Sequence, residues 1–109
     1  WVQGANGVVY YYTGGANKIV GTTQLATGQW YHVALARNGS TTTLYLDGSS
    51  EGSFTDNLTY IQPTTLKIGQ RYTGTAFNLD GYLDDFRITK GLARYTANFT
   101  PPTAEFPTS

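Results

Sequence analysis

Residues 28–48, GQWYHVALARNGSTTTLYLDG, constrain the fold of this chain more than any other segment. Two runs with alternating side-chain character, 30–37 and 41–47, flank an Asn38-Gly39 dipeptide. Such alternation is typical of β-strands, and Asn-Gly favours a tight turn with a positive φ at glycine. The segment therefore predicts an antiparallel hairpin with Gly39 in the left-handed region. Because both faces of 30–37 are largely apolar, we expect this strand in the middle of a sheet covered on both sides.

The rest of the chain has the pattern of an all-β protein. Short runs of β-branched and aromatic residues are separated by Gly, Asn, Asp and Pro, and no helical period is sustained. One helix-like turn is expected at 91–95. The predicted strands are 8–13, 18–23, 30–37, 41–47, 51–55, 66–70 and 81–89.

Composition limits the chain to a few classes of protein. A length of 109 residues with 39% hydrophobic content predicts one domain with its own core. Seven basic and seven acidic side chains cancel without forming a run, which argues against a nucleic-acid partner. The apolar runs are too short to predict membrane insertion. Cysteine is absent, so disulfides are excluded, and the sequence does not indicate whether the protein works in an oxidising or a reducing compartment.

A second marked segment, 80–102, reads DGYLDDFRITKGLARYTANFTPP. Together with the WYHVA and LYLDG runs of the hairpin, its GYLDDFRI run resembles the laminin-G-like modules of the concanavalin A-like lectin/glucanase superfamily. The end of the segment is similar to versions found in bacteriophage tail and virion proteins. The resemblance covers roughly 10–102 and implies a two-sheet antiparallel sandwich of jelly-roll type.

The same resemblance predicts the domain limits. Members of the superfamily carry further strands ahead of the point where this chain starts, so residues 1–100 are expected to form a sandwich missing its N-terminal strands. Pro101-Pro102 and Pro107 prevent regular pairing in the following residues. We therefore expect 101–109 to be an extended tail.

Catalysis is not expected. The glycosidases of the superfamily use two carboxylates facing one cleft, in a Glu-x-Asp-x-x-Glu type of strand that this chain lacks. Its glutamates are Glu51, in a Ser/Gly-rich turn, and Glu105, in the tail, while Asp84 and Asp85 are adjacent and point to opposite faces of a strand. His32 has no nucleophile signature near it and is interpreted as a neutral core imidazole.

Asp84 shares a predicted strand face with apolar residues. A buried carboxylate needs donors, a cation or a metal, and Asp84 is a possible partner for His32. A bulge would instead turn it outward. The resemblance also implies Ca²⁺ at a sheet rim in some relatives, and Asp80, Asp84 and Asp85 supply suitable oxygens with Asn78. The alternative is that these groups cap turns and pair internally.

Sugar recognition combines aromatic faces with planar polar groups. The sequence offers that mixture around 70–80, with the 57–62 loop as a second contributor. The predicted glycan-binding residues are Arg71, Tyr72, Asn78, Asp80 and Tyr60.

The run Val8, Val9, Tyr10, Tyr11 and Tyr12 is uncharged and has high β propensity, so it should be covered. We expect it to contact another chain or additional sequence, with Trp1 in the same neighbourhood, and we expect a homo-oligomer or a larger assembly.

The resemblance implies a non-catalytic carbohydrate-binding or adhesion module of a larger extracellular or virion protein, such as a tail fibre or capsid-decorating protein. Its partners would be cell-surface glycans or neighbouring virion proteins. The alternative is a structural subunit whose aromatic surfaces mediate self-assembly.

Overall fold

The computed structural model describes residues 2–5, 7–60, 67–70 and 78–106. These residues form an all-β protein with two three-stranded antiparallel sheets, and they contain no helix. The strands are β1 (Val2–Ala5), β2 (Val8–Thr13), β3 (Ala16–Val20), β4 (Val33–Asn38), β5 (Thr41–Leu46) and β6 (Ser49–Thr55). The predicted two-sheet fold class is confirmed.

The first sheet has the order β1-β2-β3. Its central strand β2 has the predicted bounds, and it turns into β3 through Gly14 and Gly15, whose φ angles of 59° and 83° only glycine adopts readily. Strand β1 was not predicted, because its residues VQGA carry no alternating pattern.

The second sheet has the order β4-β5-β6 and contains the predicted hairpin. Asn38 pairs with Thr41, and Gly39 has a φ of 60°. The hairpin prediction is confirmed. A second tight turn at Asp47 and Gly48, with φ angles of 48° and 82°, leads from β5 into β6.

Strand β4 begins later and strand β3 ends earlier than predicted, because in each case the backbone N–H groups next to the strand donate to a side-chain carboxylate. The N–H of His32 donates to Oδ1 of Asp47 at 2.7 Å, so the regular β4 ladder begins only at Val33. Strand β3 ends at Val20, since the N–H groups of Thr22 and Thr23 donate to Oε2 of Glu51 at 2.7 and 3.0 Å. That carboxylate connects the end of β3 to β6.

The core lies where the two sheets meet. It contains five residues with exposures of 8% or less, which are Val9, Tyr11, Ile19, Leu44 and Leu46. Leu25, Tyr31 and Phe54 pack against its rim. Both faces of β2 are buried, because Val8 and Tyr10, which point away from Val9 and Tyr11, are each only 8% exposed as well.

This burial corrects one expectation about the tyrosine run. The run was expected to depend on another chain or additional sequence for cover, with Tyr10–Tyr12 partly bare. This chain itself buries Val8 to Tyr11, and Tyr12 is half-buried. Trp1 lies outside the described residues. Contact of this region with a partner stays a prediction. The side chains from Val8 to Tyr11 are buried, so they offer no exposed apolar surface to support it.

Three further expectations were wrong. Residues 81–89 form no strand, and 91–95 form no helical turn. A β-strand requires hydrogen bonds to a neighbouring strand. Alternation of apolar residues determines only which face of a strand each side chain would occupy. Strand β4 lies at the edge of its sheet among the described residues, where we expected a middle strand. Of the predicted strand 66–70, the described part forms a single bridge between Gln70 and Asn78.

In the described part of the chain, no helix is long and apolar enough to cross a membrane.

Candidate functional site

A concavity of about 490 Å³ lies between the start of the hairpin and the C-terminal region. Trp30 borders it and is 68% exposed, although it precedes a strand whose residues were expected to be covered. The other lining residues are Asp84, Asp85 and residues 102–105, which include Glu105. An exposed indole therefore shares one concavity with three carboxylates.

Hydrogen bonds fix the walls of this concavity. The N–H of Phe106 donates to both carboxylate oxygens of Asp85, at 2.9 and 3.0 Å. The N–H of Asp85 donates to Oδ1 of Asp84 at 2.8 Å, in a turn where Asp85 has a φ of 55°. Asp84 is exposed and does not pair with His32, so the predicted buried pair is wrong. Residues 102–106 therefore lie against the domain beside Asp84 and Asp85.

An aromatic cluster anchors these residues. It contains five rings, those of His32, Tyr45, Tyr95, Phe99 and Phe106. Tyr95 and Phe99 stack with ring centroids 3.6 Å apart and an interplanar angle of 8°. The N–H of Phe99 also donates to the carbonyl of Gly48 at 2.9 Å, and the N–H of Ser50 donates to the side chain of Asn98 at 3.0 Å. The C-terminal region is therefore attached to the turn between β5 and β6.

His32 is the polar member of the cluster. Its ring meets Phe99 edge to face at 5.5 Å, and its buried Nδ1 has no hydrogen-bond partner among the described residues. Burial lowers the pKa of His32; Arg87 adds to this effect, while the Asp47 and Asp85 carboxylates oppose it. The neutral core imidazole expected from the sequence agrees with this environment.

Arg87 closes the cluster on the side of the tail. Its guanidinium lies 4.0 Å from the ring centroid of Phe106 and donates to the hydroxyl of Tyr95 at 3.3 Å. A cation over an aromatic ring at this distance is attractive. Arg87 therefore connects Tyr95 and Phe106 within the aromatic cluster.

The predicted glycan-binding residues that the structure describes, Tyr60, Asn78 and Asp80, do not line this concavity. Arg71 and Tyr72 are outside the described residues. Asn78 and Asp80 are exposed, and Asn78 bridges to Gln70. Tyr60 is 44% exposed. This group of five stays a prediction.

Tyr60 belongs to a polar network centred on Asp56. The side chain of Asp56 is 1% exposed, and its Oδ2 accepts hydrogen bonds from Thr42 at 2.8 Å and Tyr60 at 2.7 Å. Its Oδ1 accepts from the N–H of Leu58 at 3.1 Å and lies 3.8 Å from the guanidinium of Arg37. Every oxygen of this buried carboxylate thus has a donor, and the network fixes the chain after β6.

Both titratable members of the network respond to these contacts. Burial by itself would raise the pKa of Asp56, but the hydrogen bonds from Tyr60, Thr42 and Leu58 and the charge of Arg37 outweigh it, so the pKa lies below its ordinary value. Burial, followed by hydrogen bonds with Tyr11 and Asp56, raises the pKa of Tyr60. The phenol therefore stays protonated and serves as a donor to an ionised carboxylate.

The residues predicted for calcium, Asp80, Asp84 and Asp85, are all described, and the described part of the chain gathers no group of three His, Cys, Asp or Glu side chains suitable for a metal ion. Calcium binding at these residues stays a prediction. Asp84 and Asp85 also accept hydrogen bonds from the N–H groups of Asp85 and Phe106.

Sequence reasoning missed Trp30 and Glu105 as site residues. Trp30 was assigned to a covered face from its alternation with His32, and Glu105 was placed in an extended C-terminal tail. No signal in the sequence predicts that residues 102–105 return beside Trp30, since this depends on the aromatic cluster.

Comparison with known proteins supports the fold. The S-layer domain-containing protein from Clostridium thermocellum, solved as residues 221–444, matches with a TM-score of 0.55 and 26% sequence identity. The match covers 76% of this chain and 45% of that one, so the chain spans less than half of its solved relative. None of the curated proteins compared with the chain matches it.

A family model of laminin G type, described as the concanavalin A-like lectin/glucanases superfamily, matches residues 1–93. This covers most of the chain and agrees with the two antiparallel sheets. The chain belongs to the concanavalin A-like lectin/glucanases superfamily.

Proposed function

We propose that this chain is a non-catalytic carbohydrate-binding module of a larger surface protein, and that it binds sugar in the Trp30 concavity. The observation that carries the proposal is the exposed indole beside three carboxylates. The apolar face of a pyranose ring stacks on an aromatic ring, and carboxylates accept hydrogen bonds from sugar hydroxyls.

Binding without hydrolysis is the function that these carboxylates suit. A glycosidase needs one carboxylic acid as a proton donor and a second carboxylate as nucleophile or base. Asp85 spends both oxygens on the N–H of Phe106, and Asp84 holds the N–H of its neighbour. An ionised carboxylate can accept about four hydrogen bonds, so Asp84 and Asp85 keep acceptor capacity for sugar hydroxyls beside these backbone contacts.

The predicted residues Arg71, Tyr72, Asn78, Asp80 and Tyr60 are retained as a second candidate subsite. The exposure of Tyr60, Asn78 and Asp80 is compatible with it. The surface setting is supported by the similarity to an S-layer domain-containing protein. The finer assignment to a bacteriophage tail fibre or capsid-decorating protein rests on the sequence resemblance of residues 80–102.

The test is binding to a panel of immobilised glycans and insoluble polysaccharides. We expect Trp30→Ala to abolish binding, because the stacking platform is removed. Tyr82→Ala is the matched control, since Tyr82 is an aromatic side chain that is 87% exposed and does not line the concavity. Equal losses in both variants, or full binding by Trp30→Ala, would contradict the Trp30 site. Loss in Tyr60→Ala alone would move the site to the second candidate.

A structural subunit is the second candidate function. It is favoured by several apolar side chains in residues 82–92 that are each more than 50% exposed. These are Tyr82, Leu83, Phe86, Ile88 and Leu92. Clustered exposed apolar residues mark interaction surfaces. Failure of every glycan to bind, together with assembly that Phe86→Lys or Ile88→Lys prevents, would favour this function.

A further inference from the structure

The concavity beside Trp30 is negatively charged. Three carboxylates line it, and they belong to Asp84, Asp85 and Glu105. The lining residues 102–104 are uncharged, and no described lysine or arginine lines the concavity. An exposed indole and three acidic groups therefore share a space of about 490 Å³ that has no basic side chain among its described walls.

The basic residues of the chain do not neutralise these three charges. Within the described part of the chain, the one ion pair joins Arg37 to Asp56, away from the concavity. The guanidinium of Arg87 lies over the ring of Phe106 and does not line the concavity. Arg71 is the one basic side chain outside the described residues, and a single cation offsets at most one of the three carboxylates. The formal charge of the site is therefore negative in either case.

Glu105 has the most acceptor capacity of the three carboxylates. It is exposed, and it accepts no hydrogen bond from the described residues. Asp85 accepts with both oxygens from the N–H of Phe106, and Asp84 accepts with Oδ1 from the N–H of Asp85. A cationic group that enters the concavity can therefore bind Glu105 without breaking a contact within the described part of the chain.

We infer that the Trp30 concavity selects sugars that carry a free ammonium group, the amino sugars, over neutral and anionic sugars; this inference rests on the proposed sugar site. The exposed indole provides the stacking surface for the pyranose ring, and the carboxylates decide which charge the sugar carries. An ammonium group has three donors and forms charge-assisted hydrogen bonds with carboxylates. N-Acetylation removes that charge, and a uronic acid replaces it with a negative charge that the three carboxylates repel.

Calorimetric titration with three tetrasaccharides of equal length tests this selectivity. The probes are the tetramers of glucosamine, N-acetylglucosamine and galacturonic acid, which are cationic, neutral and anionic. We expect the glucosamine tetramer to bind at least about fivefold more tightly than its N-acetylated form, and the galacturonic acid tetramer not to bind. Raising the salt concentration from about 50 to about 500 mM should weaken binding of the glucosamine tetramer and leave that of the neutral tetramer unchanged.

Charge variants identify the group that makes the selection. Glu105→Gln keeps the shape of an exposed side chain and removes its charge, so affinity for the glucosamine tetramer should fall at least about threefold, with no change for the neutral tetramer. Tyr82→Lys is the matched control, because it changes the net charge by the same amount at an exposed position outside the concavity. It should leave both affinities unchanged. Circular dichroism confirms that each variant is folded.

The outcomes separate this inference from the proposed sugar site. Equal affinity for the cationic and neutral tetramers, or preference for galacturonic acid with or without calcium, overturns the selectivity; if Trp30→Ala still abolishes that binding, the sugar site itself stands. Equal losses in Glu105→Gln and Tyr82→Lys overturn the inference, because only the charge of the whole protein would then matter. Failure of all three tetramers to bind also overturns it, and Trp30-dependent binding in the glycan panel then decides the proposed function separately.

Discussion

The hydroxyl of Thr42 donates a 2.8 Å hydrogen bond to Oδ2 of Asp56, and both side chains are almost fully buried, at 2% and 1% exposure. Thr42 lies in the middle strand of the second sheet, and Asp56 directly follows β6. This pair therefore connects the sheet to the loop that carries Leu58 and Tyr60.

We expect Asp56→Ala to destabilise the protein by about 3 kcal/mol, because it leaves the donors of Thr42, Tyr60 and Leu58 without their acceptor. Thr42→Val keeps the shape but removes one bond, so its cost should be nearer 1 kcal/mol. Urea unfolding measures both. Asp80→Ala, at an exposed aspartate, is the control and should change stability by less than about 0.5 kcal/mol.

The loss of folding stability at acid pH should depend on Asp56. Its pKa is held below the ordinary value in the folded protein, so the unfolded chain takes up its proton first. The stabilising contribution is complete above the unfolded pKa of about 4 and is lost as the pH falls through the folded pKa. Urea midpoints measured from neutral to acid pH should fall less steeply for Asp56→Asn. Parallel curves for the two proteins would contradict this assignment.

His32 should add a pH dependence at a higher range. Because burial lowers its pKa in the folded state, the unfolded chain binds a proton more readily, and stability should decrease as the pH falls below about 6.5, until the folded pKa is passed. NMR titration of the single histidine should give a pKa below the ordinary value. His32→Phe retains a ring and removes the unpartnered Nδ1, so this pH dependence should disappear in that variant.

Gly39 and Gly48 should differ in their tolerance of a side chain. Both have a positive φ, 60° and 82°, so alanine at either site costs about 1 kcal/mol through the left-handed conformation. A Cβ at Gly39 meets open space, whereas one at Gly48 would overlap the carbonyl oxygen of Phe99. We expect Gly48→Ala to cost roughly 1–3 kcal/mol more than Gly39→Ala. Equal losses in urea unfolding would show that Phe99 moves freely away from this turn.

The sequence by itself determined the features that depend on neighbouring residues. Alternation predicted β2 at its observed bounds, and Asn38-Gly39 predicted the β4–β5 turn with its positive φ. The WYHVA, LYLDG and GYLDDFRI runs indicated the superfamily. These signals are local, because strand faces and turn dihedrals are set by residues a few positions apart.

The tertiary structure decided which of these surfaces are covered and which groups meet. Residues 81–89 alternate like a strand but have no ladder, since a strand exists only where a neighbour accepts its hydrogen bonds. Trp30 is exposed beside Glu105 because the aromatic cluster of Tyr95 and Phe99 returns the C-terminal residues to the hairpin. Asp56 has no local sequence signal. Its burial is possible because donors from three separate parts of the chain, among them Thr42 and Arg37, converge on one carboxylate, and only the folded chain brings such donors together.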